Sequence, residues 1–227
     1  MLREACRTTE QWQREFPQEQ PLTISVNLSA RQFVQPDLVD QVRQVLEQTG
    51  IDPGTVRLEV TESVAMGNAD RAIQVLSQLK ALGVRLSLDD FGTGYSSLSY
   101  LQRFPLDILK IDRSFISAMC NSPGSLQIVI TIMNLARNLN MLVVAEGAEM
   151  EAEVAQLKAL GCDFSQGYFF SRPIDKIEIT TLLRAASTQK ILTTSIESGF
   201  GIERTQPQSS GWKMAVPVRE DNISIII

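Results

Sequence analysis

Two apolar rhythms alternate along the first 186 residues. Val39, Val42, Val45 and Leu46 recur at helical spacing, as do Ala72, Val75, Leu79 and Leu82. Amphipathic stretches end at Gly50, Gly83 and Gly161, where a glycine in the left-handed region closes the last helical turn. A short β-rich run follows each one. The pattern predicts strands at 22–28, 56–61, 84–89, 107–111, 141–145 and 163–169, each separated from the next by room for a helix. Strands alternating with helices form parallel βα units. Their two buried faces explain why they read as apolar runs and not as clean alternation. A doubly wound sheet and a (β/α)₈ barrel both satisfy this grammar.

Residues 188–227 break it. They are rich in Thr, Ser, Gln and Gly, show no helical period, and end in Ile223-Ser224-Ile225-Ile226-Ile227. They read as a loosely ordered tail with a docking strand at 223–227. One short strand cannot stand in for two strands and their helices.

Composition narrows the chemistry. The chain has 227 residues, a formal net charge of −5 and no histidine. An acidic surface is not a nucleic-acid face, so no DNA partner is expected. The absence of imidazole excludes Ser-His-Asp and Cys-His nucleophiles and histidine-bound zinc. A metal would be held mainly by oxygen, which favours hard divalent cations. Cys6, Cys120 and Cys162 are isolated, which fits buried thiols in a reducing compartment and a cytoplasmic location. The best apolar run, 126–133, is far short of a membrane span. Arg3, Glu4 and Arg7 interrupt any leader-like apolar region.

Polar residues end the expected strands: Asn27, then Glu59 and Glu62, Asp89 and Asp90, Lys110 and Asp112, Glu146 and Glu149, with Gln166 in the sixth. A parallel α/β fold gathers the carboxyl ends of its strands on one rim, where active sites sit. Acids at one or two strand ends would be helix caps; six consecutive units filled alike point to a site. Such oxygens can hold one or two hard cations, and Asp89-Asp90 can place one carboxylate on each ion of a pair that clamps a phosphoryl displacement. Lys110 would orient a water or stabilise an oxyanion, its bland alternative being a strand-end ion pair with Asp112. Glu146 would act as general base or complete the metal shell. Phe91-Gly92-Thr93-Gly94 opens a loop over this rim, with N–H groups available to an anion.

These motifs resemble the EAL domain: Ser25-Val26-Asn27-Leu28-Ser29, Leu58-Glu59-Val60-Thr61-Glu62-Ser63, Asp89-Asp90-Phe91-Gly92-Thr93-Gly94-Tyr95-Ser96-Ser97-Leu98, Lys110-Ile111-Asp112-Arg113-Ser114-Phe115, Ala145-Glu146-Gly147-Ala148-Glu149 and Gln166-Gly167-Tyr168. The resemblance runs from residue 1 to about 186, followed by a non-family segment at 187–227. It implies a TIM-type (β/α) barrel and a bacterial cyclic di-GMP phosphodiesterase that yields pGpG with two Mg²⁺ or Mn²⁺ ions. It further implies Asn27, Glu59, Asp89 and Asp90 as metal ligands and Lys110, Glu146, Glu149 and Gln166 as catalytic positions. Glu62 would anchor the loop that begins with Phe91, Gly92, Thr93 and Gly94. A homodimer and upstream signalling domains are implied as well.

The family's Glu-Ala-Leu motif and its nearby Arg lie upstream of the first matched helix, together with two barrel strands; the resemblance makes that Glu a metal ligand and that Arg a phosphate contact, so the match leaves activity of this chain open. About six parallel strands are therefore expected, an incomplete barrel with two exposed edges. The alternative function is an inactive EAL-like module that binds cyclic di-GMP or a protein partner. An unrelated metal-dependent barrel enzyme is the remaining reading.

Overall fold

The six apolar runs become six parallel strands in chain order: β1 (Thr23–Asn27), β2 (Val56–Thr61), β3 (Arg85–Phe91), β4 (Ile108–Ile111), β5 (Leu142–Glu146) and β6 (Phe164–Gln166). The computed structural model describes residues 1–94, 98–185, 213–218 and 223–226. The helices are α1 (Leu2–Glu15) and, between the strands, α2 (Ala30–Phe33), α3 (Leu38–Thr49), α4 (Glu62–Gly67), α5 (Ala69–Ala81), α6 (Leu98–Leu101), α7 (Arg113–Met119), α8 (Pro123–Asn138) and α9 (Glu151–Ala159). A further helix, α10, covers 176–185. α1 precedes β1 in the chain, and its buried face includes Cys6 and Trp12.

Local chemistry sets the helix ends. Gly50 closes α3 at φ +69°, where a side chain would strain the backbone. Asn68 caps α5 by accepting the Arg71 N–H at 3.2 Å, and Ser122 caps α8 through the Ser125 N–H. In α5 the inner face is Ala72, Leu76 and Leu79; Val75 and Leu82 sit at its margin. The sixth strand is shorter than expected. A side chain at Gly167 would run into the backbone of Ala148, so the chain leaves the sheet there in close contact with the loop after β5.

Alternation separates two apolar regions. Leu58, Val60, Leu86, Leu88, Leu109, Ile111, Val143 and Ala145 face the helices and form the main core. Ile108, Val144 and Phe164 form a separate cluster on the other face, inside the curled sheet. The Arg57 guanidinium lies 5.1 Å over the Phe164 ring. With a period of two, Lys110, Glu146 and Gln166 stand directly above that inner cluster, one pleat nearer the carboxyl rim.

The expected exposed edges are not found. Residues from the segment read as a tail form two strands, β7 (Lys213–Val218) and β8 (Ile223–Ile226), and the sheet closes in the order β1 through β8. β7 runs parallel to β6 with Gln166 opposite Ala215, and β8 runs antiparallel to both β7 and β1 with Ser25 opposite Ser224. The docking strand expected at 223–227 is present as 223–226; β7 was not expected. Its Pro217 lies beyond the last residue paired to β6, at a position with a strand on one side only, where a missing N–H is tolerated. The six parallel strands remain an incomplete TIM-type set, and the hairpin covers both of their edges. Residues 186–212 lie outside the described part, so the boundary expected at 187 does too.

Candidate active site

Six strand ends deliver the expected rim. Glu59, Asp89 and Lys110 are buried there, while Asn27, Asp90, Glu146 and Gln166 are half-buried. The Lys110 ammonium is the hub: its Nζ lies 2.6 Å from Glu59 Oε2, 3.0 Å from Asp89 Oδ1 and 2.6 Å from Glu146 Oε1. Burial alone would push this amine down, but the three carboxylates outweigh it and hold Lys110 well above its ordinary value. The alternative ion pair with Asp112 is not made. Asp112 instead caps α7, accepting the Ser114 N–H at 2.9 Å, and is lowered by those Ser114 hydrogen bonds despite partial burial.

Adjacent residues on a regular strand point to opposite faces, so Asp89 and Asp90 should not share a site. A bulge resolves this. The β3–β4 register runs from Leu88 opposite Leu109 to Phe91 opposite Ile111, three steps against two, and Asp90 sits at φ +55°. Asp is among the few side chains that tolerate this region. Ligand atoms of Asp89, Asp90 and Glu146 thereby lie within 4.8 Å of one another. Burial raises the Asp90 carboxyl, with Asp89 adding to the effect, and burial raises Glu146 against the pull of Lys110.

A hard divalent cation fits this donor set. Glu59, Asp89, Asp90 and Glu146 face one buried ammonium, which leaves an excess of negative charge in a low-dielectric rim. Asp89, Asp90 and Glu146 are the residues that would hold it. Glu59 is drawn toward Lys110 instead of into this trio.

Glu62 lies beneath the loop. Its carboxylate is buried, Oε2 accepts the Gly92 N–H at 2.9 Å, and a Cβ at Gly94 would lie 2.7 Å from Oε1. Gly92, at φ +97°, rests on Phe115, whose Cε2 would be 2.8 Å from an added Cβ. Thr93 Oγ1 donates to the Asp90 carbonyl at 2.8 Å. Phe91 does not belong to an open loop: it is the last residue of β3 and packs into the core. Residues 95–97 lie outside the described part.

A cavity of about 330 Å³ opens beside the trio, lined by Asp90, Glu146, Glu149, Gln166, Arg113 and Tyr168 among others. Glu149 is exposed at this wall, its backbone N–H donating to Glu153 Oε2 at 2.7 Å. The strand-end pattern did not single out Arg113 or Tyr168 as wall residues. Their signal was position alone, one residue after Asp112 and two after Gln166.

This geometry sits in a chain whose relatives are known. The EAL domain profile matches residues 1–173. The chain is 47% identical over 174 residues to the bifunctional diguanylate cyclase/cyclic di-GMP phosphodiesterase MucR of Pseudomonas aeruginosa, covering 77% of this chain and 25% of that protein. It is 44% identical over 185 residues to the cyclic di-GMP phosphodiesterase NbdA of the same organism, covering 82% and 23%. The chain thus spans about a quarter of the length of these relatives. Among solved structures, the MucR phosphodiesterase in complex with c-di-GMP superposes with a TM-score of 0.72 at 47% identity, covering 75% of this chain and 68% of that one. The EAL domain of Mycobacterium smegmatis DcpA superposes with a TM-score of 0.76 at 38% identity, covering 81% and 82%. No helix among the described residues is long and apolar enough to cross a membrane. With its rim acids, its barrel strands and its match over residues 1–173, the chain belongs to the EAL domain family.

Proposed function

We propose that this chain is a metal-dependent phosphodiesterase domain that opens cyclic di-GMP to pGpG. The observation that carries the reading is the trio Asp89, Asp90 and Glu146, with ligand atoms within 4.8 Å of one another, beside the buried Lys110 at the mouth of a cavity. The names of MucR and NbdA support the substrate. Asp89, Asp90 and Glu146 would hold a Mg²⁺ or Mn²⁺ ion, and Asn27 and Glu59 would serve a second. Bound ions would polarise the phosphodiester and lower the pKa of a water.

The chain's own groups do the rest. Lys110 holds Glu59, Asp89 and Glu146 together, and an N–H freed when one of these carboxylates turns to an ion would orient the incoming water. Glu146, beside Asp89 and Asp90, would either complete the metal shell or serve as the general base. Glu149 and Gln166 position the substrate along the cavity wall. Glu62 keeps Gly92 and the following loop in place over the rim. A cytoplasmic homodimer with further signalling domains in the full-length protein completes the proposal.

One observation favours a second reading, a non-catalytic module that binds the dinucleotide or a protein partner: the Lys110 ammonium pairs with Glu59, Asp89 and Glu146 and so offsets part of the charge that would draw a cation. Incubating the chain with cyclic di-GMP and Mg²⁺ or Mn²⁺ decides between them. Release of pGpG, lost in Asp89→Asn, supports the enzyme. Calorimetric binding without pGpG supports the module, and neither binding nor turnover rejects both.

A further inference from the structure

We infer that Arg113 is a substrate-binding residue of this site, its guanidinium taking a pair of acceptor atoms on the dinucleotide; this rests on the proposed function. Among the described residues that line the cavity, Arg113 is the one cation, facing a wall that includes Asp90, Asp112, Glu146 and Glu149. A cyclic dinucleotide carries two phosphodiester charges, and an acidic wall repels them unless a positive group intervenes. Lys110 is committed to three carboxylates below the rim, so it does not serve the outer part of the cavity.

The backbone places Arg113 there by construction. Asp112 caps α7 and fixes its first turn at the end of β4. Gly147, directly after Glu146, adopts φ +73°, and a Cβ on it would collide with the Cβ of Arg113. The end of β5 and the start of α7 are thus interlocked with no space between them, and the Arg113 side chain starts from the cavity wall beside Glu146. Among the described residues its guanidinium enters no ion pair, and the residue is exposed, so its five donors are available to a ligand. Tyr168, with Arg172 lying 5.5 Å from its ring centroid, forms an aromatic part of the same wall.

A guanidinium fork matches two acceptors spaced like phosphate oxygens or like O6 and N7 of guanine. Both are present in cyclic di-GMP, whereas cyclic di-AMP has the phosphodiesters but not the guanine edge. The test is calorimetry of the whole chain and of Arg113→Gln with both dinucleotides, in buffer containing Ca²⁺, an ion that oxygen ligands accept. Arg113→Gln is expected to weaken cyclic di-GMP binding about tenfold or more, the scale of a bidentate contact. An equal loss for cyclic di-AMP assigns the contact to a phosphodiester; a loss confined to cyclic di-GMP assigns it to the guanine edge. Arg113→Lys recovers only part of the loss, because an ammonium does not fork. Parental affinity of Arg113→Gln for both ligands overturns the inference, and full recovery by Arg113→Lys overturns the forked contact. If the parent chain binds neither dinucleotide, the proposed function fails first and this inference with it. Thermal melts matched between parent and variant exclude a folding defect as the cause.

Discussion

The barrel has two unlike parts. β1 to β6 are parallel, each is joined to the next through at least one helix, and their carboxyl ends carry Glu59, Asp89, Asp90 and Glu146. β7 and β8 are antiparallel, and neither strand contains an Asp, Glu or Asn. The parallel part bears the acidic rim and its lysine; the hairpin satisfies backbone groups that β1 and β6 would otherwise leave unpaired. Closing a barrel therefore asks less of a sequence than building its site. Closure needs strand length and register, whereas the site needs particular side chains at particular pleats.

The largest expected effect separates the two parts. Ile225 pairs with Val216 on one side and Ile24 on the other. Ile225→Pro removes a ladder donor in the middle of the closing strand and leaves its acceptor unpaired, at a cost of about 3 kcal/mol. Hydrogen exchange at Thr23–Val26 should accelerate by about two orders of magnitude, given tenfold per 1.4 kcal/mol. Size-exclusion chromatography should show self-association through the opened edges. Unchanged protection at 23–26 would mean that the hairpin does not hold β1. Conversely, Ser25→Cys with Ser224→Cys, in a background without native cysteines, should form a cross-link only if the observed register is correct.

Within the parallel part, Lys110→Met strands the buried Glu59 and Asp89 carboxylates and the half-buried Glu146 without their common cation. Breaking one partner from a buried charged set costs about 3–5 kcal/mol. The melting temperature should fall by about 10 °C for a chain of this size, and Mg²⁺ should restore part of it by supplying the missing positive charge. A melt unchanged in the absence of metal would deny Lys110 its hub role.

A smaller effect is expected at the loop. Gly92→Ala forces a Cβ into the left-handed region and against Phe115, so a loss of about 1–3 kcal/mol follows, read from denaturant midpoints. Glu62→Gln keeps one acceptor for the Gly92 N–H and should cost less than Gly92→Ala. The reverse order would place the strain elsewhere.

The smallest effect concerns the thiols. Burial raises Cys6 and Cys162 to about 11, whereas Cys120 is exposed. At pH 8 each buried thiol is only about one part in a thousand thiolate. A disulfide reagent should therefore modify one thiol quickly in the native chain and all three after denaturation. Three fast thiols would show that the main core around Cys6 and Cys162 is open.

Much of the parallel part was legible. The runs at 56–61, 107–111 and 141–145 form strands within a residue of their expected spans, because apolar runs bounded by glycine-capped helices have few other uses. The rim acids were legible as types at strand ends. The hub role of Lys110 was not. Its nearest expected partner, Asp112, is two residues away along the strand, whereas its actual partners Glu59, Asp89 and Glu146 come from three other strands. β7 was also missed, since 213–218 contains a proline and follows a Thr-, Ser- and Gln-rich stretch whose sequence shows no apolar period.

Local periodicity and residue chemistry by themselves determined the parallel strands, the helix ends and the set of acidic and amide side chains on one rim. Each depends on interactions within a few residues or on the shared direction of βα units. The tertiary structure decided what has no local signature. The bulge at Asp90 brings two neighbouring carboxylates to one side, and the ammonium of Lys110 finds its charges across strands. The hairpin's place between β6 and β1 depends on two backbone edges, 23–26 and 164–166, that only the curled sheet brings within reach of a common partner.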